Sequence, residues 1–183
     1  MTPLTVTWSP HIYTEWGWNN FRAWINAGFD NYLMTLNGLT HRLLTRLALE
    51  NLFHPFQPFI FGQKALAPKM AEYFNIPLVF FGENEAEYGN PLEQTESPTR
   101  EAKYYSAVDS KDDWENMYLG GTSVYDLKNR YGVSNSDLES YLPIKKEILE
   151  KSQIEVHFLG YYLKWHPQGS FYYAVENGGF QPS

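Results

Sequence analysis

The segment Ile76-Pro77-Leu78-Val79-Phe80-Phe81 carries no polar side chain. A strand covered on one face alternates apolar and polar residues, whereas an unbroken apolar run belongs to a strand buried on both faces. Helices covering a parallel sheet create that environment, so the run predicts an α/β fold rather than a bundle or a sandwich. It ends abruptly in Gly82-Glu83-Asn84-Glu85. Ligands of open α/β sheets bind outside the carboxyl ends of the strands, which makes this acidic exit the first candidate site.

The remaining chain supplies alternating strand and helix signals. Leu4 to Trp8 is a β-favouring run ended by Ser9-Pro10. Phe21, Trp24 and Ile25 have helical spacing, with Gly28 beyond them, and Asp30-Asn31 introduces the short run Tyr32 to Thr35. After the turn Asn37-Gly38, Leu43, Leu44, Leu47 and Ala48 share one side of a helix. His54-Pro55 and Gln57-Pro58 interrupt it, each proline favouring extended backbone before it. The next helix is predicted over much of Ala65 to Phe74, with Pro68 in its first turn.

From Gly89 to Asp113 the chain is polar and rich in turn formers, suiting a substrate lid, an insertion or a surface excursion. Val124, Leu127 and Tyr131 then suggest a helix ended by Gly132. Ser134 can cap the following helix, with Asp137 three residues on. Pro143 breaks or starts a helical segment reaching Leu149. Ile154 to Leu159 reads as a strand, and Pro167 to Asn177 as a helix closed by Gly178. The expected architecture is one main domain over residues 1–183. It has a mainly parallel sheet flanked by helices, with a polar and helical insertion near residues 90–150.

With 43% apolar and 19% charged residues, the composition is that of a globular protein. The 6 Trp, 14 Tyr and 12 Phe can fill a core or line a ligand cleft. The absence of cysteine excludes disulfides, thiolate metal sites and cysteine nucleophiles. A net charge of -7 argues against nonspecific nucleic-acid binding. No apolar stretch suits a membrane helix, and the start lacks a signal-peptide pattern, so the expected location is cytoplasmic without membrane insertion.

Four polar constellations can carry chemistry. Glu83, Asn84 and Glu85 suit a cation or a polar substrate, or form an acidic solvent loop. His11, Tyr13 and Thr14 follow the first strand and can contact a sugar or phosphate; equally, Thr14 caps a helix and His11 is a surface residue. Arg42 and Arg46, four positions apart, can face a phosphate or sugar carboxylate, or make a solvated basic face. His54, Gln57, Gln63 and Lys64 lie among prolines and aromatics, which suits a polar ring compound or a well-packed loop. No His-x-x-x-His metal signature is present.

Several unusual phrases occur in one order. They are Val-Thr-Trp-Ser-Pro-His-Ile-Tyr-Thr-Glu (6–15), Ala-Gly-Phe-Asp-Asn-Tyr (27–32) and Asn-Leu-Phe-His-Pro-Phe-Gln-Pro-Phe-Ile-Phe-Gly-Gln-Lys (51–64). Phe-Gly-Glu-Asn-Glu-Ala-Glu-Tyr-Gly-Asn (81–90) and Tyr-Tyr-Leu-Lys-Trp-His-Pro-Gln (161–168) follow. Together they resemble the bacterial N-acetyl sugar amidotransferases of lipopolysaccharide, O-antigen and related surface-glycan synthesis. That family resembles the PP-loop ATP pyrophosphatases, whose fold is adenine nucleotide alpha hydrolase-like.

The resemblance implies conversion of a sugar acetamido group to an acetamidino group, using ATP, magnesium and ammonia. Adenylation of the amide oxygen would precede nitrogen attack and release of AMP and pyrophosphate. It puts Glu83 near activated substrate or magnesium, with Asn84 and Glu85 contacting nucleotide or sugar. His11, Tyr13 and Thr14 would frame the substrate mouth. His54, Gln57, Gln63 and Lys64 would complete it, with Lys64 or Arg42 balancing phosphate charge. The implied partners are a nucleotide-activated N-acetyl sugar, a glutaminase subunit supplying ammonia and a synthase-like subunit.

The sequence departs from the family at the Ser-Gly-Gly-Lys-Asp-Ser-like loop, which nothing here matches. Gly120-Gly121 and Gly178-Gly179 have the wrong neighbours. The expectation is therefore a fragment with little or no ATP-dependent activity of its own. A noncatalytic sugar-nucleotide-binding or complex-forming role is the alternative.

Overall fold

The computed structural model describes residues 3–82, 97–99, 114–164 and 166–182. Along the chain run β1 (Leu4–Trp8), α1 (Glu15–Asn26), β2 (Asp30–Met34), α2 (Gly38–Leu52), α3 (Gln57–Tyr73) and β3 (Leu78–Phe81). They are followed by β4 (Tyr118–Leu119), β5 (Thr122–Ser123), α4 (Val124–Asn129), α5 (Asn135–Glu139), α6 (Lys146–Ser152), β6 (Glu155–Phe158) and α7 (Pro167–Asn177). The protein is mixed α/β, and its strands form short ladders: β1 with β2, β3 with β6, and β4 with β5. The chain divides into two compact units. One comprises Met1–Met34, Phe81–Pro98 and Phe158–Ser183; the other comprises Thr35–Phe80 and Thr99–His157.

The first unit is built on a β-α-β turn of chain. β1 and β2 are parallel, in register from Leu4 opposite Asp30 to Trp8 opposite Met34. Thr5 Oγ1 donates to the Asp30 carbonyl at 2.7 Å, so that hydroxyl can only accept from its other neighbour. The Asn31 amide nitrogen donates to it at 2.8 Å and to Thr7 Oγ1 at 2.9 Å. Gly28, at φ 88°, reverses the chain between α1 and β2 in a region open to glycine. His166 caps α7, its Nδ1 accepting from the Gly169 N–H at 2.9 Å. Beyond α7, Gln181 clasps α1: the Asn19 and Asn20 amides donate to its side-chain and backbone oxygens at 3.0 Å each. Neither α1 nor α7 contains a buried residue; Trp8 and Phe158 are the buried apolar residues described in this unit.

The second unit holds most of the core. Leu44, Leu47 and Ala48 of α2 and Ala65, Leu66 and Ala71 of α3 are buried, as the helical spacing requires. Leu119, Val124, Leu127, Leu138, Tyr141, Leu142, Ile144 and Leu149 join them from the segment read as a helical insertion. Ser134 caps α5 as expected, its hydroxyl accepting from the Asp137 N–H at 3.2 Å and donating to the Asp137 carboxylate at 2.8 Å. β4 and β5 form an antiparallel hairpin with Leu119 opposite Thr122. Both turn residues, Gly120 and Gly121, have positive φ, 61° and 69°, as the tight primed turn of such a hairpin demands.

Two expectations change. α3 starts at Gln57, not near Ala65, so Gln57 is helical rather than extended and Pro68 lies inside the helix. Pro58 takes the first-turn position, where a missing N–H costs nothing. Both prolines are less than 2% exposed, so packing offsets the hydrogen bond lost at Pro68. The second change concerns β3: Val79 is buried, but Phe80 is 48% exposed, so the strand is covered less fully than its composition predicts.

Candidate functional site

The loop between β1 and α1 brings together three of the residues singled out in the sequence. The Ser9 N–H donates to the Met34 carbonyl at 3.0 Å, carrying the ladder one residue past the carboxyl ends of both strands. The next residues lead directly into the N-terminus of α1. Thr14 caps that helix, accepting from the Gly17 N–H at 3.0 Å, which is the structural role considered for it. Tyr13 packs its ring edge-on against Trp18 at 5.4 Å and tilted against Phe21 at 6.0 Å. Its hydroxyl is buried and has no hydrogen-bond partner among the described residues. A buried hydroxyl without a partner is costly to the fold. His11 is exposed beside it.

The second unit contains the other cationic and amide candidates. Arg42 is exposed, and Arg46 pairs with Glu50 at 3.7 Å with both side chains more than half exposed, a pair of little energetic weight. His54 is exposed in the turn from α2 to α3, where its carbonyl accepts the Gln57 N–H at 3.1 Å. Gln57 is occupied: its Oε1 accepts the Gly120 N–H at 2.9 Å, tying the hairpin turn to the start of α3. Gln63 is exposed and Lys64 half-buried. Glu83, Asn84 and Glu85 lie outside the described residues. Among the described residues, no group of three His, Cys, Asp or Glu could hold a metal ion.

Two further polar features stand on α2 and α3: His41, a lone histidine that no triad pattern in the sequence supports, and the half-buried Lys69. His41 Nδ1 lies 2.8 Å from the Tyr141 hydroxyl, with the rings stacked at 5.7 Å. Burial holds the Tyr141 phenol well above its usual pKa, and the Asp137 carboxylate adds to the shift, so it stays protonated at neutral pH. The signal for His41 was its spacing: it stands three residues before Leu44, on the apolar face of α2. The partner 100 residues away gave no signal.

The other feature is Lys69, whose ammonium donates to the Glu139 carbonyl. Burial lowers its pKa to about 8, against an opposing pull from the Glu139 carboxylate. The unfolded chain therefore holds this proton more tightly than the folded one. Stability contributed by the site rises as pH climbs from about 8 toward the ordinary lysine value of 10.5. Thermal melts between those limits should show wild type gaining on Lys69→Met by an amount on the order of 1–3 kcal/mol. Parallel pH profiles for the two proteins would refute the assignment.

No protein-family model matches the chain, and no curated protein sequence matches it. Among the described residues, no helix is long and apolar enough to cross a membrane.

Proposed function

We propose that this chain carries the sugar-facing part of an ATP-dependent N-acetyl sugar amidotransferase of surface-glycan synthesis, acting in the cytoplasm with a glutaminase subunit and a synthase-like subunit. The finer fold belongs to the same reading: a partial PP-loop ATP pyrophosphatase-like sheet. The reading rests on the ordered phrases of the sequence. The observation that supports it best is the Tyr13 hydroxyl, enclosed without a protein partner at the loop beyond the carboxyl end of β1. Ligands of α/β sheets bind at such loops. A sugar hydroxyl or amide oxygen can pair with a phenol there.

The 183 residues contain no Ser-Gly-Gly-Lys-Asp-Ser-like loop to cradle pyrophosphate, so they bind sugar nucleotide without turning over ATP. Incubation with ATP, magnesium, UDP-N-acetylglucosamine and ammonia should yield no AMP above background. Robust AMP formation coupled to sugar consumption would defeat this claim. Tyr13→Phe separates binding from folding. Its melting temperature should hold or rise slightly, because no protein hydrogen bond is lost, while calorimetric affinity for UDP-N-acetylglucosamine falls about tenfold. Unchanged affinity would remove Tyr13 from the site. Absence of binding by the wild-type chain would end the sugar-nucleotide reading.

A further inference from the structure

A cleft of about 490 Å³ lies within the first unit, lined by α1 on one side and by the end of α7 and its following residues on the other. That volume falls in the range of small-molecule sites, and every residue lining it is described. Its two sides are tied by the Gln181 clasp, in which the Gln181 N–H also donates to Asn20 Oδ1 at 2.7 Å.

The lining carries two poles of opposite sign. On α1, Arg22 is exposed and has no carboxylate or hydrogen-bond partner among the described residues. No carboxylate side chain lines the cleft to neutralise it. The other pole is the C-terminus of α7, where Asn177 and Gly178 line the same cleft. At the end of α1, the Ala23, Trp24 and Ile25 carbonyls accept from Ala27, Phe29 and Gly28. At α7, the Ala174 carbonyl takes both the Gly178 and the Phe180 N–H. The Val175, Glu176 and Asn177 carbonyls are left without a described donor. The last turn of α7 also holds no basic residue, so its partial negative charge is uncompensated.

The other polar lining is amide. Asn19 donates to Gln181 Oε1 at 3.0 Å, which leaves Asn19 Oδ1 and Gln181 Nε2 without described partners, and Asn26 has none at either end. Such groups pair with a hydroxyl as donor or acceptor.

We propose that this cleft binds a free polar α-amino acid, its carboxylate on Arg22 and its ammonium at the C-terminus of α7. A guanidinium takes a carboxylate through two parallel hydrogen bonds, and a helix C-terminus favours a cation. The assignment is independent of the amidotransferase reading.

L-Serine titrated into the full chain should bind at about millimolar concentration and shift the backbone amide resonances of Gly178 and Gly179. Ethanolamine lacks the carboxylate and 3-hydroxypropanoate the ammonium, so each should bind at least about tenfold more weakly. Arg22→Gln should weaken L-serine binding about tenfold with an unchanged melting temperature, because the guanidinium has no described bond to lose. Asn177→Lys places a competing cation at the helix end. It should raise the melting temperature slightly while affinity falls by a similar factor. No binding of L-serine up to about 50 mM would overturn the proposal. So would equal affinity for 3-hydroxypropanoate, or unchanged affinity in either variant.

Discussion

Gly120→Ala should destabilise the protein by about 3 kcal/mol or more, enough to take a large share of the stability of an ordinary domain. Two independent penalties fall on this position. Its φ of 61° is strained for any residue with a Cβ. A Cβ there would also lie 2.8 Å from the Leu44 carbonyl oxygen and 3.0 Å from the Ala48 nitrogen. Both are backbone atoms of α2, inside the best-buried stretch of that helix, and neither can swing aside. Relief by moving the hairpin would break the bonds that hold it: Gly120 N–H to Gln57 Oε1, and Asn51 Nδ2 to the Gly120 carbonyl at 3.0 Å. Gly132→Ala is the control, because Gly132 has φ 67° but open space around its Cβ position. Strain alone should cost about 1 kcal/mol there. Chemical denaturation of the two variants measures the difference. Equal losses would show that close approach to α2 contributes nothing.

Native-state hydrogen exchange should separate the two units. Central amides of α2 and α3 stand over buried Leu44, Leu47, Ala65 and Leu66, and they open through loss of that core. α1 and α7 bury no residue at all, while Trp24 is 52% exposed and Tyr173 70% exposed on them. Amides of α1 and α7 should therefore exchange at least about 100-fold faster than those of α2 and α3. Limited proteolysis should cut the same helices first. Comparable protection across all four helices would contradict the ranking that the burial of their side chains implies.

Much of the local structure was legible in the residues. β1 matches its β-favouring run residue for residue, because branched and aromatic side chains followed by Ser-Pro leave little choice. α2 shows the apolar face that its spacing demanded. Ser134 and Asp137 form the cap that their three-residue separation suggested. α7 runs from Pro167 to the glycine that ends it, since proline suits a first turn and Gly178 a C-terminus. At the candidate site, Thr14 as a cap was among the roles considered, and Tyr13 was named without any sign that its hydroxyl would be enclosed. Position in the sequence gives a residue type and a face; enclosure depends on neighbours brought in by packing.

Local chemistry, then, determined the order of elements, their caps and the faces of the helices. Tertiary structure decided where single glycines and polar groups became indispensable. Gly120-Gly121, whose neighbours rule out a phosphate loop, is a hairpin turn seated on α2, fastened by a glutamine 63 residues away. Pro68 is carried inside α3 because burial outweighs its missing hydrogen bond. His41 meets Tyr141 across 100 residues. Propensity and periodicity act over one turn of chain, whereas packing joins residues that no local pattern relates, and there the energy of burial overrules local preference.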